Sequence, residues 1–244
     1  QQPSPFGYVA FQVDNNISIF RVDPSTGRLT WQQRVPVDGG PGPLAIDPGK
    51  NFLYVGNRDS QRLSSYRIDR NTGGFSLVGS VPLQGEPVHV STDQSTAAVH
   101  AVSSDGVIGF PPIEWRYTAY GAHGIHADRS NRFVLVPHLA RDGGPNAIAQ
   151  FKFDEDTGRL TPNTPPFLFL REYLGPRHLC FHPTLDVVYS SDEQGSSATA
   201  YRLDPSAGTL ANFQTISTVP SDYTATSDVT CSEIQISPSG RFLF

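Results

Sequence analysis

The chain has 244 residues and carries 18 Lys and Arg against 23 Asp and Glu, a net charge of −5. That balance lacks the basic face that nucleic acid or an anionic membrane would need, and no apolar run approaches the length of a membrane span. Gly (22) and Pro (21) are frequent and charged residues make up only 17%, which points to many short strands joined by turns.

There is no Met and residue 1 is Gln. A start removed with a secretion signal would explain both, as would a fragment. Asn16-Ile17-Ser18 has the form of a glycosylation acceptor. The expectation is a secreted or periplasmic protein, with the cytoplasm as the alternative. Two cysteines are too few for a disulfide scaffold, and Cys180 and Cys231 read as packed thiols.

Along the chain, three alternating runs precede Gly42, the second being "ISIFRVDPSTGRL" from Ile17. "GPLAIDPGKNFLYV" then reads as strand, tight turn, strand, and "LSSYRIDRNTGGF" from Leu63 as a strand with an Asp-x-x-x-Gly turn. The same two phrases recur as "EPVHVSTDQSTAAV" with a degraded "GVIGFPPI" from Gly106. They recur again as "AHGIHADRSNRFVLV" with "IAQFKFDEDTGRL" from Ile148, and as "GPRHLCFHPTLDVVY" with "ATAYRLDPSAGTL" from Ala198. "CSEIQISPSGRFLF" is the first phrase once more, and there the sequence stops. The turn glycines are Gly27, Gly73, Gly158 and Gly208; the second step is nearly twice the others, so one copy of the turn is lost between Gly73 and Gly158.

Four strands in roughly 40–50 residues is the signature of a propeller blade. The periodicity within segments is two, which excludes a helical solenoid. The expected fold is all-β, a single β-propeller domain over residues 1–244 with about five blades of four strands. Phe20, Tyr66, Phe151 and Tyr201 recur at one place in the third strand and read as core between blades.

Superposing the repeats on the turn before the second strand puts His123 and Arg177 at one position, the start of the first strand. Gly42, Val88 and Ser232 hold it elsewhere. Glu193 and Arg58 share a second position, just after the second strand, where another unit has Leu139. The first two strands of a blade pair antiparallel, so these positions lie side by side. His123, Arg177, Glu193 and Arg58 are therefore expected to converge at one mouth of the central channel, a site for an anionic or carbonyl-containing small molecule. Polar side chains at a wet channel mouth also occur without any function.

These segments, most specifically "GPRH" followed by "FHP", resemble the seven-bladed lactonase propeller family. That family includes a bacterial 6-phosphogluconolactonase type and a fungal carboxy-muconate lactonizing type. The resemblance implies a site with a His, an Arg in the Pro-Arg element and a Glu, which carry over to His123, Arg177 and Glu193 as catalytic residues. It also implies an Arg in an Asn-Arg pair just after the "GRFLF" strand, for which this sequence has no counterpart because it stops at Phe244. Arg58 holds the equivalent repeat position in a different blade and is not assumed to substitute. Where the family has Asn before the Glu, this chain has Asp192.

The resemblance implies about two further blades after Phe244, so the chain is expected to be a fragment or an incomplete record, lacking the last two. An open propeller would expose strand edges and invite self-association.

The implied reaction is hydrolysis of a small anionic lactone, or the related cyclization of a carboxy-muconate. His123 or Glu193 would be the base, and Arg177 would hold a carboxylate or phosphate or stabilise the oxyanion. The rival is a non-catalytic propeller serving as a binding or scaffold module.

No cofactor is expected. His123 and His126 would point to opposite faces of a strand, and His178 and His182 would lie some 13 Å apart along one, so no metal is expected. His89 and His178 share a repeat position and read as structural. No serine sits in a G-x-S-x-G elbow.

Overall fold

The computed structural model describes residues 5–87, 96–224 and 229–244, and its regular structure there is entirely strand. The chain forms two compact units. One gathers Gln1–Asp93 and His100–Pro112, the other Gln94–Val99 and Ile113–Phe244.

In the first unit β1 (Phe6–Phe11), β2 (Asn16–Val22) and β3 (Leu29–Pro36) form a three-stranded sheet. There β4 (Pro41–Ile46), β5 (Phe52–Asn57), β6 (Arg62–Ile68) and β7 (Phe75–Pro82) form a four-stranded one. In the second unit β8 (Thr96–Val99) pairs with β9 (Glu114–Tyr117). Two four-stranded sheets follow: β10 (His126–Ala127), β11 (Phe133–His138), β12 (Ala147–Asp154) and β13 (Arg159–Phe169), then β14 (Pro176–Phe181), β15 (Val187–Asp192), β16 (Ser197–Leu203) and β17 (Leu210–Ser217). Each larger sheet is an antiparallel meander in chain order, the all-β blade architecture expected from the sequence.

Burial follows position in the meander. Every residue of β11 is buried, whereas β17 is buried only at Leu210. An inner strand is covered on both faces and so becomes a continuous apolar run, while the last strand is half solvated. In the second unit Ala97, Val134, Val136, Phe151 and Leu160 make one core cluster, and Leu135, Ile148, Leu179, Val188 and Tyr201 another. Phe151 and Tyr201 are core as expected. Phe20 and Tyr66 are only half-buried, and Tyr66 packs edge-on to Phe75 at 5.2 Å between ring centroids.

The described residues hold 17 strands, fewer than the repeat count implies. "GVIGFPPI" forms no strand. Val102 and Ile108 make a single bridge around a turn closed by Gly106 N–H to Ser103 O at 2.9 Å. Pro111 and Pro112 follow at once and bring no N–H to a ladder, so β8 pairs directly with β9 instead. The first strand of that unit, with Val88 and His89, falls outside the described residues. The run from His123 narrows to the two residues of β10, and "IQISPSGRFLF" is a hairpin with one bridge, Ile236 to Leu243.

The repeated turns are built alike. The N–H of Gly27, Gly73, Gly158 and Gly208 donates to the carbonyl of Asp23, Asp69, Asp154 and Asp204 at 2.7–2.8 Å, with φ between 71° and 74°. Each Asp carboxylate also accepts the N–H two residues on, at 2.8–3.1 Å. The hydroxyls of Ser25, Thr157 and Ser206, ahead of the backbone N–H groups, and for Asp69 the Asn71 N–H, hold all four carboxyls below the usual range, Asp23 at about 2. A second device closes the first hairpin. Asp47 accepts the N–H of Asn51 and Phe52, and Asp128 those of Arg132 and Phe133. In the last full sheet His182 takes over, its Nδ1 accepting from Leu185 N–H at 2.9 Å and Thr184 N–H at 3.2 Å.

Asp192 ends β15 and is fully buried. Ser190 and Tyr201 meet at 3.1 Å beside it, and its oxygens accept from Ser190 (2.5 Å), Ser197 (2.8 Å) and Thr199 (2.6 Å). This network pins the strand end from which Glu193 projects. Burial raises the Asp192 carboxyl above its ordinary value although all three hydroxyls oppose the rise.

Two stability experiments follow. Gly208→Ala should cost about 3 kcal/mol, because its φ is 71° and a Cβ would lie 2.0 Å from the Phe133 ring. Gly27→Ala, at the same φ with nothing within 4 Å, should cost only about 1 kcal/mol; equal costs in urea unfolding would refute the packing account. A carboxyl raised on folding favours the folded state at low pH and loses that advantage as pH climbs through its folded value. Asp192→Asn should therefore gain on wild type as the pH rises above about 4, and parallel stability profiles would refute the ionisation.

Candidate active site

The backbone sets the site first. The N–H groups of Arg58, Leu139 and Glu193 donate to the carbonyls of Gly40, Gly121 and Gly175 at 2.8, 2.9 and 2.8 Å. These three bonds are the same bond in three sheets. Each ties the residue after the second strand to the start of the first, as the repeat superposition requires. In β14 the register shifts between Pro176 and His178, which leaves Arg177 as the bulged residue, and β4 shifts between Pro41 and Leu44 at the equivalent place. A bulge bends the strand and re-aims a side chain that simple alternation would send elsewhere.

Glu193, only 6% exposed, is the hub. Its Oε2 accepts from Arg177 Nε at 2.7 Å, and its Oε1 from Arg141 at 3.0 Å and from Gln194 Nε2 at 3.1 Å. Arg177 also donates to the Ser232 carbonyl. Arg141 lies on the loop after β11, and that loop is anchored by Ala140 N–H donating to Gln194 Oε1 at 3.0 Å. Its side chain is 52% exposed, against 20% for Arg177. Asp142 lies 3.7 Å from the Arg141 Nε. A guanidinium has five N–H donors, so these contacts leave both arginines with donors to spare.

His123 precedes β10 and is held by its own N–H to Pro137 O at 3.0 Å. The segment packs on β14: a Cβ added at Gly124 would lie 3.4 Å from the Arg177 carbonyl. Its Nδ1 is 3.3 Å from His178 Nε2, and the His178 Nδ1 is 2.8 Å from Glu233 Oε2. His178, read from the sequence as structural, thus joins the predicted site residue to a carboxylate.

Strand alternation does not apply to His123 and His126. His123 lies outside the strand, so alternation does not separate the two rings, and their centroids lie 5.3 and 6.4 Å from that of His178. His126 Nε2 accepts the Leu179 N–H at 3.3 Å, and His182 is occupied by its turn and by Gly240 O at 3.2 Å. Among the described residues no group of three or more His, Cys, Asp or Glu is arranged to hold a metal ion. Both cysteines are free, and burial raises the Cys180 thiol to about 12.

Arg58 belongs to the first unit, where Glu86 and Gln12 take its guanidinium. In the second unit Arg177 meets Glu193, while the ring of His123 meets that of His178, the residue after Arg177. Sequence reasoning missed Arg141, His178 as a partner, and Glu233. The loop "LARDGGPN" after β11, longer than the matching "RDSQ" and "EQGS" loops, was the available signal for Arg141.

The comparisons with known proteins agree with this architecture. A family model described as lactonase, 7-bladed beta-propeller, matches residues 2–92 and 93–244. A 6-phosphogluconolactonase of Pectobacterium carotovorum is 32% identical over 97% of this chain and 72% of its own length. One from Yersinia pestis is 30% identical over the same shares. Among solved structures, a periplasmic gluconolactonase of Pseudomonas aeruginosa superposes with a TM-score of 0.80 at 21% identity, covering 97% of this chain and 74% of that one. The chain belongs to the seven-bladed lactonase β-propeller family.

Proposed function

We propose that the chain hydrolyses a small anionic lactone, with His123, Arg177, Glu193 and Arg141 as its working groups. The observation that carries this is the pair of guanidiniums on one buried carboxylate, Arg177 at 2.7 Å and Arg141 at 3.0 Å. Glu193 uses one N–H of each and orders both, and the remaining donors suit a bidentate grip on a phosphate or carboxylate. The names of the relatives, 6-phosphogluconolactonases, support a phosphorylated sugar lactone as the substrate.

The chemistry asks little more of the site. His123 takes a proton from water as the oxygen attacks the lactone carbonyl, and Arg177 stabilises the oxyanion that forms. The carbonyl re-forms, the ring C–O bond breaks, and the departing alkoxide takes the proton back from His123. Water has been added across the ester, giving a hydroxy acid with no other reactant. Glu193 has both oxygens engaged by cations, so its part is to hold the arginines. An imidazole suits the base better.

Steady-state hydrolysis of 6-phosphogluconolactone, set beside unphosphorylated gluconolactone, tests the reading. His123→Ala should lower kcat by roughly 10²–10⁴-fold. Arg141→Ala should raise KM for the phosphorylated lactone by about tenfold or more, a loss of one charged contact, and by less for the uncharged one. Full turnover in His123→Ala would remove it as the base. No turnover of either lactone by the unaltered chain would overturn the proposal in favour of a binding module.

A further inference from the structure

We infer that Asn146 is a positioning residue of the proposed site: its one amide joins the loop that carries Arg141 to the start of β14, and so holds Arg141 in register with Arg177 on Glu193. Its effect on turnover rests on the hydrolase reading, but the register belongs to the resting chain and can be read without substrate.

Asn15, Gln61, Asn146 and Ser196 stand just before β2, β6, β12 and β16, all with left-handed φ, of 51°, 51°, 54° and 46°. The carbonyl of each accepts the N–H of the residue that follows the next strand, from Val37, Leu83, Leu170 and Thr218, at 2.8–3.0 Å. A backbone bond thus closes the same hairpin in four sheets and makes no use of the side chain. Asparagine enters that conformation more readily than most residues. At two of the positions its side chain does something further. Asn15 Oδ1 accepts the N–H of Gly40 at 2.8 Å, and Asn146 Oδ1 that of Gly175 at 2.9 Å. Gly40 and Gly175 are the glycines whose carbonyls accept from Arg58 and Glu193. Each asparagine therefore fastens one sheet to the start of the next.

In the second unit that fastening encloses the paired guanidiniums. Asn146 N–H donates to Leu139 O at 3.3 Å, which closes the base of the Arg141 loop. Its Nδ2 donates to the carbonyls of Leu170 and Glu172 at 3.2 and 2.6 Å. Two carbonyls at one end and an N–H at the other leave the amide a single orientation. From Gly175 the path runs through its carbonyl to Glu193 N–H at 2.8 Å. The Glu193 carboxylate then meets Arg141 at 3.0 Å and Arg177 at 2.7 Å. Gln194 closes the ring, since its Oε1 accepts Ala140 N–H. The approach is close: a Cβ added at Gly175 would lie 1.7 Å from that oxygen and 3.2 Å from Ala140 N.

A phosphate or carboxylate held by two guanidiniums needs them at one spacing. Arg141 itself is exposed, so its place beside Arg177 depends on what anchors its loop. Loss of the Asn146 amide frees Gly175 and the loop base together. It loosens the hold on the anion and leaves His123, whose N–H is bonded to Pro137 O, where it is.

Asn146→Gly removes the amide and keeps the left-handed backbone. Asn15→Gly makes the same cut in the first unit and is the control for general loosening. In steady-state assays Asn146→Gly should raise KM for 6-phosphogluconolactone about tenfold, with kcat within about twofold, and KM for unphosphorylated gluconolactone by less. Asn15→Gly should leave both constants near wild type at a similar loss of stability in urea. Equal rises in KM in the two variants, or a fall in kcat alone, would mean that Asn146 is merely structural. Backbone amide exchange reads the register without turnover. Ala140 and Glu193 N–H should exchange about tenfold faster in Asn146→Gly, and amides inside β16 at the wild-type rate. Unchanged exchange at both would overturn the inference, whatever the activity. If the unaltered chain turns over neither lactone, the hydrolase reading fails and the exchange rates still decide the positioning.

Discussion

One backbone hydrogen bond organises the site: the N–H of the residue after the second strand donating to the glycine carbonyl that precedes the first. It closes an antiparallel hairpin at its open end, opposite the tight turn. Because pairing is antiparallel, it fixes two residues distant in sequence as neighbours whatever their side chains. Glu193 reaches Arg177 for this reason. The glycine is not incidental either. Gly40, Gly121 and Gly175 have φ of 70°, 79° and 67°, a region that side-chain-bearing residues seldom enter; Gly40 and Gly175 immediately precede β4 and β14, and Gly121 lies in the turn before β10.

Given that frame, electrostatics does the rest. A carboxylate buried to 6% exposure needs partners, since burying a lone charge is costly. Glu193 finds two guanidiniums and an amide. The same contacts straighten the long arginine side chains, which would otherwise pay rotamer entropy on binding a ligand. Gln194 extends the device by holding Ala140 N–H at 3.0 Å, so the loop carrying Arg141 is tied to the residue next to the one that binds Arg141. Asp192 does similar work from within the sheet, where three hydroxyls hold it at the end of β15.

What the sequence showed was what is local or periodic. The four Asp-x-x-x-Gly turns were legible because every bond that makes them lies within five residues. The pairing of the Arg177 and Glu193 positions was legible because it needs only strand register. The copy between Gly73 and Gly158 was legible as degraded but not in its form: "GVIGF" has strand-like alternation, but Asp105-Gly106 turns it back on itself and Pro111-Pro112 stops it, so local turn chemistry won over pattern. His178 and Glu233 were invisible as partners, being 55 residues apart and joined only by tertiary packing. Arg141 was hidden by a loop longer than its counterparts, which shifted it out of any repeat alignment.

The repeat also separates folding from chemistry. At one position pair the first unit has Gly42 and Arg58, and the second has His123 and Leu139 beside β10 and β11 and Arg177 and Glu193 beside β14 and β15. The backbone bond that closes each pair differs by 0.1 Å at most. In the first unit Arg58 lies over Gly42, so closely that a Cβ there would sit 2.7 Å from its Cδ. In the second, a long side chain occupies the strand start instead and reaches back. Glycine, arginine and histidine all stand at that start while the closing backbone bond keeps its length, so this bond does not dictate which side chain is present.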